Sequence, residues 1–323
     1  MLRRHFMKYG VGLVLAAGVV GSAFAQDRAP TTIVVGFAPG GSVDSAARIL
    51  AEQLRQITGE NFIVENRTGA AGRLAVRQTQ TAKPDGRTLM LVPHGPMTLF
   101  PHIFSNLGFD PNKDFTPISR VAVVDYALVA GNDVPVSNGA QLKEWATKNP
   151  GKASFGTPGL GTIPHFAGEI IGSRLGVKLT SVPYKGSALT ANDVAAGVIP
   201  LGVMPTADAV NMVNAGRMKV IGTSGQKRSP LTPDFPTLKE VGIDYVLDGW
   251  YAVYGPAGMN PEDVQRLNTA LQKALQNEDV IKRFAAVGLI AAGSTPEELV
   301  DIQKAESDVW RQAVEETGFK PLE

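Results

Sequence analysis

The chain has 323 residues, and its 31 Lys+Arg against 30 Asp+Glu leave no basic excess of the kind that marks a nucleic-acid surface. It contains no cysteine, which excludes a disulfide scaffold, a thiol nucleophile and thiolate-bound zinc. The length exceeds one comfortable hydrophobic core, so two domains are expected.

Residues 1–25 read as a secretory signal peptide. Arg3, Arg4 and Lys8 form a basic start, Val11–Val20 an apolar core, and Ala23-Phe24-Ala25 a small-x-small cleavage site before Gln26. The apolar core is too short to span a bilayer comfortably, and the rest of the chain is expected to be soluble. Taking those three cations from the 31 basic residues leaves 28 against 30 acidic ones, a slightly acidic mature chain.

The first ordered unit expected is Thr31–Ile57. Ile33–Phe37 is a short β-branched run suited to a strand buried on both faces. Pro39-Gly40-Gly41 ends it, and Ser42 is the expected N-cap of a helix with Asp44 in its first turn. Val43, Ala46, Ala47, Leu50, Ala51, Leu54 and Ile57 then recur at helical spacing. Strand, glycine turn and helix together aim unpaired N–H groups and the positive helix end at the carboxyl end of a strand, where a small anion binds. Asp44 is left with two readings, complement of the helix dipole or contact with a ligand.

Phe62–Glu65 and Thr88–Val92 are further strands, separated by a helix over Leu74–Thr81, and His94-Gly95-Pro96 follows the third strand. Ile118–Ala130 is a long β-rich run, read as the first crossing into a second domain. There a helix over Gln141–Lys148, capped by Ser137 or Asn138, precedes a strand at Ala153–Gly156 and a second glycine turn, Thr157-Pro158-Gly159-Leu160-Gly161-Thr162. The helix after it carries Phe166, Ile170, Ile171 and Leu175, so the opening pattern recurs. Strand Leu179–Pro183, turn Tyr184-Lys185-Gly186-Ser187, strand Val198–Val203, helix Thr206–Ala215 and strand Met218–Thr223 follow. Asp248–Tyr254 reads as the return crossing, with Trp250, Tyr251 and Tyr254 as hinge packing. Asn260-Pro261 and Thr295-Pro296-Glu297-Glu298 open two late helices that should pack on the first domain. The expected architecture is α/β: two lobes, 26–124 with 252–323 and 125–251, joined by two crossing strands with a cleft between them.

Several chemistries are excluded. No Gly-Lys-Ser/Thr follows either glycine turn, the dinucleotide spacing is missing, and no Gly-x-Ser-x-Gly elbow occurs. His165 lies at helical spacing before Glu169, but a loop-orienting histidine suits that place better than a metal pair, and neither metal nor cofactor is expected.

The segments IVVGFAPGGSVDSAARILAEQL, VENRTGAAG, KPDGRTLML, FGTPGLGTIPHFAGE, VPYKGSA, TSGQKRSP and PTLKEVG, with the leader, resemble the Bug-type extracytoplasmic receptors of tripartite tricarboxylate transporters. The likeness runs over essentially the whole mature chain. It implies a type II periplasmic-binding-protein fold, a periplasmic location, a small carboxylate ligand and delivery to the membrane subunits of such a transporter, by a monomer without catalytic residues. Carried over residue by residue, the first ligand loop is Phe37, Ala38, Gly40, Gly41, Ser42 and Asp44. The second is Thr157, Gly159, Gly161, Thr162 and His165, with Tyr184, Gly186 and Ser187 completing the cleft.

Two departures from the family pattern stand out. His94 replaces a small hydroxyl residue, and is expected either to meet a second carboxylate or an aromatic ring, or to be satisfied within its loop. Met204 stands in a Val-Met-Pro run where relatives show an aromatic–Asp–Asn run; it cannot accept from an ammonium group, which argues against an amino-acid ligand. Two rivals remain. A hydrolase of small carboxylate esters would have to pair Ser42 or Ser187 with His94 or His165. A regulator's effector domain would need the DNA-binding helices that the N-terminus lacks.

Overall fold

The computed structural model describes residues 29–317 and 321–322, and the expected leader lies outside the described residues. β1 (Thr31–Val35) pairs in parallel with β2 (Phe62–Asn66) on one side and β3 (Thr88–Pro93) on the other. Its central place explains why the β-branched Ile33, Val34 and Val35 are all buried. α1 (Ser42–Thr58) and α2 (Arg73–Gln80) make the crossovers, and the single-turn α3 (Gly95–Thr98) and α4 (Phe100–Ile103) lead on to β4 (Phe115–Val124).

The chain passes to the second lobe at Asp125. β5 (Tyr126–Gly131), α5 (Gly139–Lys148), β6 (Ser154–Thr157), α6 (Ile163–Leu175) and β7 (Thr180–Pro183) come first. α7 (Ser187–Ala195), β8 (Leu201–Pro205), α8 (Thr206–Asn214) and β9 (Met218–Thr223) complete it. β10 (Gly249–Pro256) returns to the first lobe, followed by α9 (Pro261–Gln276), α10 (Glu278–Ala286), β11 (Ile290–Ala291) and α11 (Pro296–Thr317).

The two sheets have the orders β11-β4-β10-β3-β1-β2 and β7-β6-β8-β5-β9. In the first, β10 runs antiparallel to both β3 and β4; in the second, β5 runs antiparallel to both β8 and β9. Each lobe is therefore a mainly parallel sheet with the crossing strand inserted against the grain, the two-residue β11 also running antiparallel to β4 in the first, and the two α/β lobes expected from the sequence are present. β10 joins the first sheet from Gly249 onward, so Gly249–Tyr251, expected in the second lobe, lie in the first.

Local signals explain several helix starts. Asn138 accepts from Gln141 N–H (2.9 Å), Asn260 from Glu262 N–H (3.0 Å), and Thr295 and Glu298 form a reciprocal capping box (2.9 and 3.1 Å). Ser42 differs from its expected role: Gly41 is the N-cap of α1, and Ser42 is the first helical residue, with its hydroxyl committed elsewhere.

Leu50, Leu271 and Phe284 anchor the core of the first lobe, and Leu128, Phe155, Ile171, Leu201 and Ile221 that of the second. Ile163, Phe166 and Ala207 of the second lobe pack into the first lobe's core, and Phe166 meets Trp310 edge-on with centroids 6.3 Å apart. The lobes are thus in apolar contact. At Gly168 on α6, an added Cβ would fall 2.2 Å from the ring of Phe155, which is fully buried. Overpacking of ~1–3 kcal/mol should outweigh the ~1 kcal/mol gained in helix propensity. Gly168→Ala is expected to lower the urea midpoint of unfolding, and an unchanged or raised midpoint would contradict this packing.

Candidate functional site

Both glycine turns open onto one cavity between the lobes. The β1–α1 turn contributes Phe37, Ala38, Gly41, Val43 and Asp44; the β6–α6 turn contributes Pro158, Thr162, Ile163 and Pro164. Pro93, Gly95, Pro96 and Phe100 close the first-lobe side, Ser187 and Pro205 the second. The floor follows from strand register. Tyr251 of β10 pairs with Pro93, the last residue of β3, and Tyr126 of β5 pairs with Pro205, the last residue of β8. All four of these residues line the cavity, one tyrosine–proline pair from each crossing.

In the first turn, Gly40 (φ +89°) donates its N–H to Asp44 Oδ2 at 3.0 Å. Asp44 also receives Arg48 Nε at 2.9 Å and Asn66 Nδ2 at 2.8 Å. Burial acts to raise its carboxyl, but these donors hold it below the usual range, so Asp44 is ionised. Ala38 N–H is taken by Lys185 C=O (3.0 Å), which ties the turn to the second lobe close to Gly186 (φ +142°). Ser42 donates its N–H to Asp208 Oδ1 (2.5 Å) and its hydroxyl to Asp208 Oδ2 (3.0 Å), while Tyr251 OH lies 2.7 Å from the same Ser42 oxygen.

The second turn is braced from within. Thr162 returns its N–H (3.3 Å) and hydroxyl (2.7 Å) to Gly159 C=O, and its hydroxyl lies 3.3 Å from that of the buried Thr157. Gly161, at φ +81°, donates to His165 Nδ1 (3.3 Å), and His165 Nε2 meets Ser181 Oγ (3.1 Å). Burial lowers the His165 pKa, so the ring is neutral and orients the loop. Tyr184 OH donates to Asp193 (2.8 Å). Of the residues expected at the site, Phe37, Ala38, Gly41, Asp44, Thr162 and Ser187 stand on the cavity wall. Gly40, Ser42, Thr157, Gly159, Gly161, His165, Tyr184 and Gly186 support the turns around it.

Two expected ligand contacts are corrected. His94 is fully buried beneath the floor, with Nδ1 on Glu306 and Nε2 2.5 Å from Tyr126 OH, so neither nitrogen is left for a solute. Glu306 also receives Trp250 Nε1 (2.5 Å) and Trp310 Nε1 (3.1 Å). Burial acts to raise its carboxyl, but His94 and the two indoles hold it below the ordinary range. Met204 is fully buried behind β8 with Val129 and Val194, and its neighbour Pro205 reaches the cavity instead. The hydrolase reading also fails here, because the hydroxyls of Ser42 and Ser187 serve Asp208 and each histidine has other partners. Among the described residues no cluster of His, Asp and Glu is arranged to hold a metal, and no helix is long and apolar enough to cross a membrane.

Sequence reasoning missed Asp208, Tyr126 and Phe100. An acid in the first turn of α8 reads locally as a dipole complement, and nothing near it in the chain signals Ser42. Burial pushes the Asp208 carboxyl up to about 6, despite the hydrogen bonds from Ser187 and Ser42. Its folded pKa thus lies above the ordinary value of about 4. This contribution to stability is therefore full below about pH 4 and is lost as pH rises through about 6. Asp208→Asn should flatten that part of the stability–pH curve in urea titrations from pH 4 to 7, and a curve of unchanged shape would refute the assignment.

Residues 46–319 match the family described as tripartite tricarboxylate transporter family receptor. Protein BugT of Bordetella pertussis is 28% identical over 315 residues, covering 96% of this chain and 97% of BugT. Among solved structures, the periplasmic binding protein BugD superposes with a TM-score of 0.86 at 31% identity, over 91% of this chain and 99% of that one. R. palustris Rpa4515 with adipate gives 0.87 at 29% identity, over 91% and 98%. These neighbours are solute-binding proteins rather than enzymes, which accords with a cleft without a nucleophile–base pair. On the match over most of its length and on the two-lobed fold, the chain belongs to the tripartite tricarboxylate transporter receptor (TctC) family.

Proposed function

We propose that this receptor works in the periplasm, where it captures a small carboxylate between its lobes and presents it to the membrane subunits of a tripartite tricarboxylate-type transporter. The observation that carries the reading is the convergence of two strand–turn–helix starts, one per lobe, on a single cavity. Helix starts supply N–H donors and positive potential without bringing a cation into the site. The adipate held by Rpa4515 is a solute of the same class.

Closure is the working step. The chain crosses between the lobes at Asp125 and again ahead of Gly249, and Ile163 and Phe166 meet the first lobe when the cleft is shut. A solute favours the shut form only through contacts that it gains there. Hydrogen bonds to an ionised carboxylate of ~1.5–3 kcal/mol each, several per group, support micromolar or tighter binding after the ordering cost.

Thermal shift followed by calorimetry, over mono-, di-, tri- and aromatic carboxylates with sugars and cationic amines as contrasts, tests this. Stabilisation by at least one carboxylate and by none of the contrasts is expected. A clear shift with a sugar or an amine and none with any carboxylate would sink the reading.

A further inference from the structure

The first-lobe half of the cleft, where an incoming anion would meet the start of α1, is already filled from within. Asp208 reaches across from the second lobe and takes both the N–H and the hydroxyl of Ser42, and Ser187 adds its own hydroxyl to the same carboxylate. Tyr251 backs Ser42 from behind. Asp44, a second protein carboxylate, holds the Gly40 N–H. There is little room left: a methyl group built on Gly41 would lie 3.3 Å from Ser187 Oγ and 3.7 Å from Asp208 Oδ1.

The second-lobe half differs. Among the described residues no carboxylate is hydrogen-bonded to the main-chain N–H groups of 158–165, and Gly161 N–H meets only an imidazole nitrogen. Between the two halves the walls are apolar, formed by Phe37, Val43, Pro96, Phe100, Ile163 and Pro205.

We propose that Asp208 is a resident carboxylate that fills the first-lobe half of the site, so that the receptor selects solutes with one carboxylate and an apolar body. The inference rests on the carboxylate-receptor reading above and narrows its substrate class. The solute's single carboxylate is received at the β6–α6 turn, and its body lies along the apolar walls. A second carboxylate has two places to go. Near α1 it meets Asp44 and Asp208, like charges that already hold the donors there. Along the walls it would be stripped of water with no donor in return. Moving aside would cost Asp208 the hydrogen bonds that it takes from Ser42 and Ser187.

Calorimetry of the purified receptor with hexanoate and adipate, which share a six-carbon chain and differ by one carboxylate, reads the selection directly. Hexanoate is expected to bind at least tenfold tighter than adipate, with benzoate and terephthalate ranked the same way. Asp208→Ser, which vacates the space and removes the charge, should shift the adipate-to-hexanoate affinity ratio at least tenfold toward adipate. Equal or tighter binding of adipate by the wild type overturns the inference while leaving the carboxylate reading intact, and so does a ratio that Asp208→Ser leaves unmoved. Binding of no carboxylate at all removes both. Should the variant fail to fold, the wild-type ratio decides alone.

Discussion

Two strands that run against the grain of their sheets set the geometry of this receptor. β5 enters the second sheet between β8 and β9, and β10 enters the first between β3 and β4, so each crossing becomes an interior strand of the lobe that it enters. An interior strand is fixed by hydrogen bonds on both edges and by side chains on both faces. The carboxyl ends of β1 and β6 can then address only one gap, the crevice beyond the strand ends where ligands of open α/β sheets bind. The tyrosine–proline pairs on the cavity floor are the local result of that register.

Although the two helix starts are built alike, the chain equips them differently. The start of α1 is surrounded by acids, Asp44 made more acidic by Arg48, Asn66 and Gly40, and Asp208 made less acidic by burial. The start of α6 faces a neutral imidazole and Thr162, whose hydroxyl donates to Gly159 C=O. Strand order makes the lobes look like copies, but electrostatically they are a filled half and a receptive half. The charge that distinguishes them belongs to α8 of the opposite lobe, so neither half has its character until the lobes meet.

Much of this could be read from the sequence, for identifiable reasons. β-branched runs, glycine turns and the Asn and Thr caps at 138, 260 and 295 are local signals, and they placed β9 at Met218–Thr223 and the turns at 39–41 and 157–162. What the sequence withheld depends on long-range contact. Ser42 reads as a cap until Asp208, 166 residues away, claims it. His94 reads as a ligand contact because its strand ends at the cleft, yet its ring turns to Glu306, 212 residues onward. Met204 faces inward because β8 is central and buried on both faces, a fact set by sheet order and not by its neighbours in the chain.

Glu306 gathers His94, Trp250 and Trp310, and through His94 it steadies the hydroxyl of Tyr126 on the cavity floor. The backbone of Leu322 is stitched to Ile103 and Ser105 at the edge of the same region. The floor is thus braced from α11, by a residue 212 positions along the chain from His94. Without the Glu306 carboxylate, the His94 ring and the Trp250 and Trp310 indoles would lose their common acceptor, so the floor of the cleft leans on a residue that lines none of it.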